Sequence, residues 1–190
     1  MTFQEQVEST LHITDRLLVE NLAKSARVRT VHKGELLQKI GEENQYIAFI
    51  IRGLFRGYYV DGDGGEVTDC FVYHPGNALV SCAGIDEPST ISIEALEDGE
   101  VLCIQTNVLL ENIEHHRELS RRYNLFLKES LKMQWENKVA LAKQKAASRY
   151  LWFQERYPGL IDRVSHKYVA SFLGMTPVSL SRVRKSMREQ

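Results

Sequence analysis

From His166 to Met187 the chain reads HKYVASFLGMTPVSLSRVRKSM. Counted from His166 as its first position, the spacing predicts a helix-turn-helix. Ala170 falls fifth, where two crossing helices touch and only a small side chain fits. Gly174 falls ninth, in the turn, where the backbone needs a positive φ. Val169, Leu173, Met175, Leu180 and Val183 fall on the positions that must be apolar to lock one helix across the other. Thr176 suits the N-cap of the second helix and Pro177 its first turn. The second helix is expected to expose Ser179, Ser181, Arg182, Arg184, Lys185 and Arg188. Basic and hydroxyl side chains on a short helix suit phosphates and base edges in a major groove. The alternative is a helical hairpin with a solvated basic face.

Charge is divided unevenly along the 190 residues, whose net formal charge is only −1. Residues 1–114 hold 19 acidic and 8 basic side chains, a balance of −11; residues 115–190 hold 6 and 16, a balance of +10. A basic C-terminal third beside an acidic remainder points to a polyanionic partner at that end. A membrane-surface helix would also be basic, but the helix-turn-helix spacing favours nucleic acid, and no stretch is apolar enough to span a bilayer. The first ten residues, MTFQEQVEST, lack the basic and apolar regions of a secretory signal, so a cytoplasmic location is expected. Cys70, Cys82 and Cys103 are widely spaced, with no C-x-x-C pair, and are expected as reduced, mostly buried thiols. No metal-ligand spacing, nucleophile–base arrangement or phosphate loop is present, so neither a metal, a cofactor nor an enzymatic activity is expected.

Working towards the N-terminus, Lys145 to Tyr157 reads as a helix ended by Pro158-Gly159. His115 to Ala142 contains no Gly or Pro and reads as one long helix. Leu119, Tyr123, Phe126, Ser130, Met133, Asn137 and Ala140 step by four and three residues, a heptad seam. Leu127, Leu131 and Trp135 make a second apolar face beside it. The seam, with Leu119, Tyr123, Phe126 and Met133 as its apolar members, is expected to pair with a second copy of the chain. The alternative is a broad-faced core helix. Thr106 or Asn107 is expected to cap a shorter helix before it.

Between Arg27 and Gln105 the pattern changes to short β-rich runs: RVRTV, YIAFIIR, LFRGYYV, VTDCFVY, ISIEAL and VLCIQ, separated by glycine turns. Such spacing predicts an antiparallel barrel, roll or sandwich. The stretch DGDGGE from Asp61 resembles the start of a calcium loop, but its twelfth position would be Val72, so a hairpin turn is expected. Residues 3–24 read as short helices, with Thr14-Asp15 capping a run in which Leu17, Leu18, Leu22 and Ala23 share a face.

This order resembles the Crp/Fnr superfamily of bacterial transcription regulators. Three stretches carry the resemblance: HKGELLQKIGEE with Gly34, Glu35 and Gly41; YIAFIIRGLFR with Gly53 at its turn; and LGMTPVSLSRVRK. The last is the most specific. The resemblance implies an α+β fold: a β-roll sensor over residues 1–114, a dimerisation helix over 115–142 and a helix-turn-helix DNA-binding region over 143–190. It implies Lys167, Thr176, Ser179, Ser181, Arg182, Arg184 and Lys185 as DNA contacts, with Arg182 reading a base. Val178 stands where many members place a base-reading Glu. The implied partners are a palindromic double-stranded operator, a second copy of the chain, a small effector of unknown identity, and RNA polymerase as a candidate.

The sequence departs from the family where cyclic AMP would bind. Members that take it supply a Glu to the ribose and an Arg to the cyclic phosphate. Here Asn77 and Ala78 follow Gly76, and Pro88, Ser89 and Thr90 precede the next strand, with Asp86 and Glu87 adjacent. A buried phosphate needs a paired cation or several N–H donors. An effector pocket at Gly76, Asn77, Ser81, Ser89 and Thr90 is therefore expected to bind a ligand other than cyclic AMP, or to be filled by side chains such as Leu79 and Ile85. The N-terminal cysteine cluster of iron–sulfur members is absent, and His74 and the His115-His116 pair give no haem signature. The chain stops at Gln190, like a shorter, wingless branch. A competing functional class is a ligand-binding module whose basic tail contacts protein or RNA.

Overall fold

The computed structural model describes residues 2–80 and 84–188. The chain divides into two compact units: residues 1–59 with 70–128, and residues 60–69 with 129–190. The fold is α+β, as expected, with two four-stranded antiparallel sheets.

The first unit starts with α1 (Phe3–Leu11) and α2 (Arg16–Ala23). A capping box opens α1: the Glu5 N–H donates to Thr2 Oγ1 at 3.2 Å and the Thr2 N–H to Glu5 Oε2 at 2.7 Å. Asp15 caps α2 by accepting the Leu18 N–H at 3.2 Å. That bond, and then the nearby His116, hold the Asp15 carboxyl below its ordinary pKa. Leu17 departs from the expectation: it is 60% exposed, and the buried face is Leu18, Val19 and Leu22. The helix turns about 100° per residue, and the buried arc runs from Leu18 through Leu22 to Val19, which leaves Leu17 roughly opposite its centre.

One sheet has the order β1 (Arg27–Val31), β8 (Gly99–Gln105), β3 (Tyr46–Arg52), β6 (Ala78–Leu79). The other has β2 (Leu36–Gln38), β7 (Ser92–Ala95), β4 (Phe55–Val60), β5 (Glu66–Val72). All six β-runs read from the sequence are strands. β2 and β6 were not foreseen, because pieces of three and two residues are too short to show alternation.

The first sheet is buried on both faces. Ile50, Val101 and Cys103 face the roll interior with Phe55, Ile93 and Ala95. Ile47, Leu102 and Ile104 face the opposite way, against Val7, Leu18, Leu22, Leu109 and Leu119 of the helices. Strand alternation produces this division, and it explains why β3 and β8 read as nearly continuous apolar runs. Burial also pushes the Cys103 thiol above its ordinary pKa, in keeping with an inert core cysteine. Cys70 is likewise free and buried, while Cys82 lies outside the described residues.

α3 (Thr106–His115) begins one residue earlier than the expected cap allows. Thr106 lies inside the helix, and its hydroxyl donates to the Asn44 carbonyl instead. Gln105 occupies the cap position without a side-chain bond. The long helix α4 runs Arg117–Lys143. Its first turn is tied to the α1–α2 connection: the Glu118 carboxylate accepts the Thr14 N–H at 3.1 Å and the Asp15 N–H at 3.0 Å.

The heptad stripe of α4 is largely taken up by the chain itself. Leu119 is 6% exposed inside the helical core, and Tyr123 packs against the same cluster. Phe126, Ser130 and Met133 are half-buried, and Asn137 and Ala140 are buried. Leu119 is therefore not available to a partner helix, contrary to the expectation for it, whereas Tyr123, Phe126 and Met133 keep part of their surface. A stripe with a 3.5-residue period suits any apolar surface, and here the nearest one belongs to the same chain. The apolar face left to solvent is the neighbouring one: Leu127, Leu131 and Trp135 are 41%, 73% and 63% exposed.

The roll closes tightly at Gly99. A Cβ there would stand 2.6 Å from the Arg52 carbonyl oxygen, a backbone atom that cannot swing aside. Gly99→Ala is expected to lower stability by about 1–3 kcal/mol in urea unfolding. Gly62→Ala, at a site with no atom within 4 Å, should change it by less than about 0.5 kcal/mol.

Candidate nucleic-acid interface and effector cassette

The second unit contains α5 (Ala146–Arg156), α6 (Leu160–Arg163), α7 (His166–Phe172) and α8 (Pro177–Arg188). Val169, Ala170, Leu173 and Leu180 are buried as the spacing requires, and Met175 and Val183 are half-buried. Phe172 was not singled out in the sequence, yet it joins an aromatic cluster. Its ring lies 6.1 Å from that of Trp152, 5.8 Å from Phe153 and 5.6 Å from Tyr157. The α5 pattern of adjacent aromatic residues was the available signal.

The turn between α7 and α8 forms as its residues dictate. Gly174 has φ 60°, the Met175 N–H donates to the Ala170 carbonyl at 2.9 Å, and the Gly174 N–H to the Ser171 carbonyl at 3.0 Å. Thr176 Oγ1 accepts the Ser179 N–H at 3.1 Å, which is the expected N-cap. Leu180 and its helical neighbours face α7. Val178, Ser181, Arg182 and Lys185 consequently share the outward side of α8, and all four are exposed. Neither α7 nor α8 carries an acidic side chain.

Two of the predicted DNA-contact residues sit differently from the expectation. Arg184 is half-buried and turns back to α7, its Nη1 lying 3.1 Å from His166 Nδ1. Four residues after Leu180, it falls on the edge of the packed face. Ser179 is half-buried, and its hydroxyl lies 3.0 Å from that of Thr176. Lys167 is exposed, with its ammonium 4.8 Å from the centre of the Tyr168 ring.

The tip of the β4–β5 hairpin belongs to this same unit. Ser171 of α7 accepts the Thr68 N–H at 2.9 Å and donates its hydroxyl to the Glu66 carbonyl at 3.1 Å. No sequence signal marked Ser171 for this clamp, because its partners lie about a hundred residues away in the chain.

Four of the five predicted effector residues, Gly76, Asn77, Ser89 and Thr90, lie among the described residues. Gly76, φ 83°, donates its N–H to the Ile50 carbonyl at 2.7 Å, and the Asn77 carbonyl accepts the Ile50 N–H at 2.9 Å. Ser89 is buried, and its hydroxyl donates to the Ile91 carbonyl at 2.7 Å. Its own N–H donates to the Glu42 carbonyl at 2.9 Å, so its polar groups are already engaged. Asn77 and Thr90 are exposed, and Ser81 lies outside the described residues. Leu79 is buried in the roll interior and Ile85 beneath the helices. Asp86 lines a separate cavity of about 590 Å³ with Glu43, Asn44 and Pro88. Residues 76–91 contain no Lys or Arg to pair with a cyclic phosphate, and among the described residues of the cassette the buried Ser89 hydroxyl is committed to backbone.

Residues 28–116 match the family model of the cyclic nucleotide-binding domain. Three solved structures are similar over most of their length and of this chain. FixK2 from Bradyrhizobium japonicum superposes with a TM-score of 0.75 at 19% identity, covering 87% of this chain and 85% of that one. A regulator of the Crp/Fnr family from Eubacterium rectale gives 0.75 at 13% identity, covering 93% and 84%. A double mutant of CooA from Carboxydothermus hydrogenoformans gives 0.74 at 17%, covering 96% and 84%. The chain shares the fold of these three structures. No curated protein matches the sequence. No helix among the described residues is long and apolar enough to cross a membrane. Among the same residues, no three His, Cys, Asp or Glu side chains are grouped to hold a metal ion.

The cassette generates a direct expectation. Cyclic AMP and cyclic GMP should give no micromolar binding in calorimetry. Micromolar binding of either, abolished by bulky replacements at Ser89 or Thr90, would mean that backbone alone can hold the phosphate here.

Proposed function

We propose that the chain is a homodimeric, sequence-specific DNA-binding transcription regulator whose effector is not cyclic AMP. The observation that carries this reading is the outward side of α8. Val178, Ser181, Arg182 and Lys185 lie together on a helix supported by α7, with no carboxylate on either helix. A recognition helix entering a major groove presents such a surface: a basic edge for phosphates, and an Arg able to form two hydrogen bonds with guanine. Thr176 and Lys167, near the start of each helix, flank this surface and are assigned phosphate contacts. Arg184 serves first to brace α8 against His166 and reaches DNA only if that contact opens. Val178 presents an apolar contact suited to a thymine methyl group. RNA polymerase remains a candidate partner of the assembled regulator.

The dimer is assigned to the exposed stripe of Leu127, Leu131 and Trp135, spaced by four residues on α4. A partner's stripe laid against it would remove three large apolar side chains from water on each side. Two copies are also what a short helix-turn-helix needs, because paired recognition helices read half-sites about 34 Å apart. Footprinting upstream of the chain's own gene should reveal a two-fold symmetric protected site.

Two sets of variants check the reading. Arg182→Ala should lose about 1–3 kcal/mol of discrimination at one base position, measured as the ratio of operator to random-DNA affinity. Lys185→Ala should instead weaken both DNAs alike. The slope of log affinity against log salt should become shallower by about 0.9 for each phosphate no longer neutralised. Equal loss on both DNAs for Arg182→Ala would overturn its assignment. Leu131→Glu places like charges opposite each other in the dimer stripe. Sedimentation should then show a folded monomer with operator binding abolished, and a persisting dimer would locate the interface elsewhere.

A further inference from the structure

Away from the cassette, the roll interior opens into a cavity of about 550 Å³. That falls within the range of roughly 300–1,000 Å³ typical of small-molecule sites. None of Gly76, Asn77, Ser89 or Thr90 lines it. Its inner wall is apolar, formed by Ala48, Leu79, Ile93 and Cys103, of which the last three are buried. Its rim is polar and charged. There the Arg27 guanidinium lies over the Tyr46 ring, with its carbon 3.9 Å from the ring centre. Arg29 also lines the cavity but is paired with Glu35. Among the described residues no carboxylate forms an ion pair with Arg27.

The Arg27 guanidinium also hydrogen-bonds the Cys103 side chain at the inner wall, and with five N–H donors it keeps others for an oxyanion. Glu42 and Glu43 also line the cavity and are exposed. They make a second negative charge on a ligand unfavourable, so a phosphate monoester suits the site less well than a singly charged group. We propose that this cavity binds a small monoanion with a carboxylate head and an apolar body. The head pairs with Arg27 and the body lies against Leu79 and Ile93. The site is independent of the DNA-binding reading, and its test uses no DNA.

Calorimetry on the full chain, with phenylacetate and octanoate as probes, tests this. One-site saturable binding is expected for at least one of them, and none for neutral octanol at the same concentrations. Arg27→Ala should weaken that binding by roughly ten- to a hundredfold. Arg27 is exposed, so its replacement should leave the melting temperature nearly unchanged. Glu43→Gln should improve binding of phenyl phosphate, which the parent chain should take more weakly than phenylacetate. Absence of saturable binding by both carboxylates would overturn the proposal. So would equal binding in Arg27→Ala, or a preference of the parent chain for phenyl phosphate. Failure to find an operator would leave these outcomes unaffected.

Discussion

The first unit depends on a sheet that is apolar on both sides. In β8, Val101 and Cys103 fill the roll while Leu102 and Ile104 meet the helices. The pairing of β3 with β8 carries this alternation across the sheet, setting Ile47 opposite Ile104 and Ile50 opposite Val101. A one-residue slip would exchange the two faces, so the apolar pattern on both sides fixes the register. The helices pack against this sheet, and α3 and the start of α4 take their positions from it. The Glu118 bonds to the Thr14 and Asp15 N–H groups then fix the first turn of α4, where a helix offers unsatisfied donors of its own.

The same constraint shapes the surface of α4. Its most regular stripe is buried at Leu119, Asn137 and Ala140 and half-buried between them, while Leu127, Leu131 and Trp135 beside it stay exposed.

In the second unit, the helix-turn-helix is braced from two sides. The aromatic cluster of Trp152, Phe153, Tyr157 and Phe172 fixes α7 from behind. Ser171 fastens it to the hairpin tip through one accepted and one donated hydrogen bond. The Arg184–His166 contact fixes α8 in turn. Rigid support of this kind lets a short helix hold its outward side chains in one register for recognition.

The sequence by itself determined the elements and the class of fold. Gly174, Thr176 and the apolar positions around Ala170 specify the helix-turn-helix because turn geometry, capping and close helix packing are local requirements. The six longer β-runs, and the long helix without Gly or Pro, were legible for the same reason. The outward position of Arg182 and Lys185 followed from helical periodicity once Leu180 was known to be inside. Only the tertiary structure decided what depends on distant neighbours. It drew Arg184 onto His166, committed Leu119 to the core, and left Leu131 and Trp135 outside. It turned the Ser89 hydroxyl onto the Ile91 carbonyl and brought Arg27, Tyr46 and Ile93 to one cavity from three strands. Periodicity says which residues share a face; which face is covered depends on what the rest of the chain brings against it.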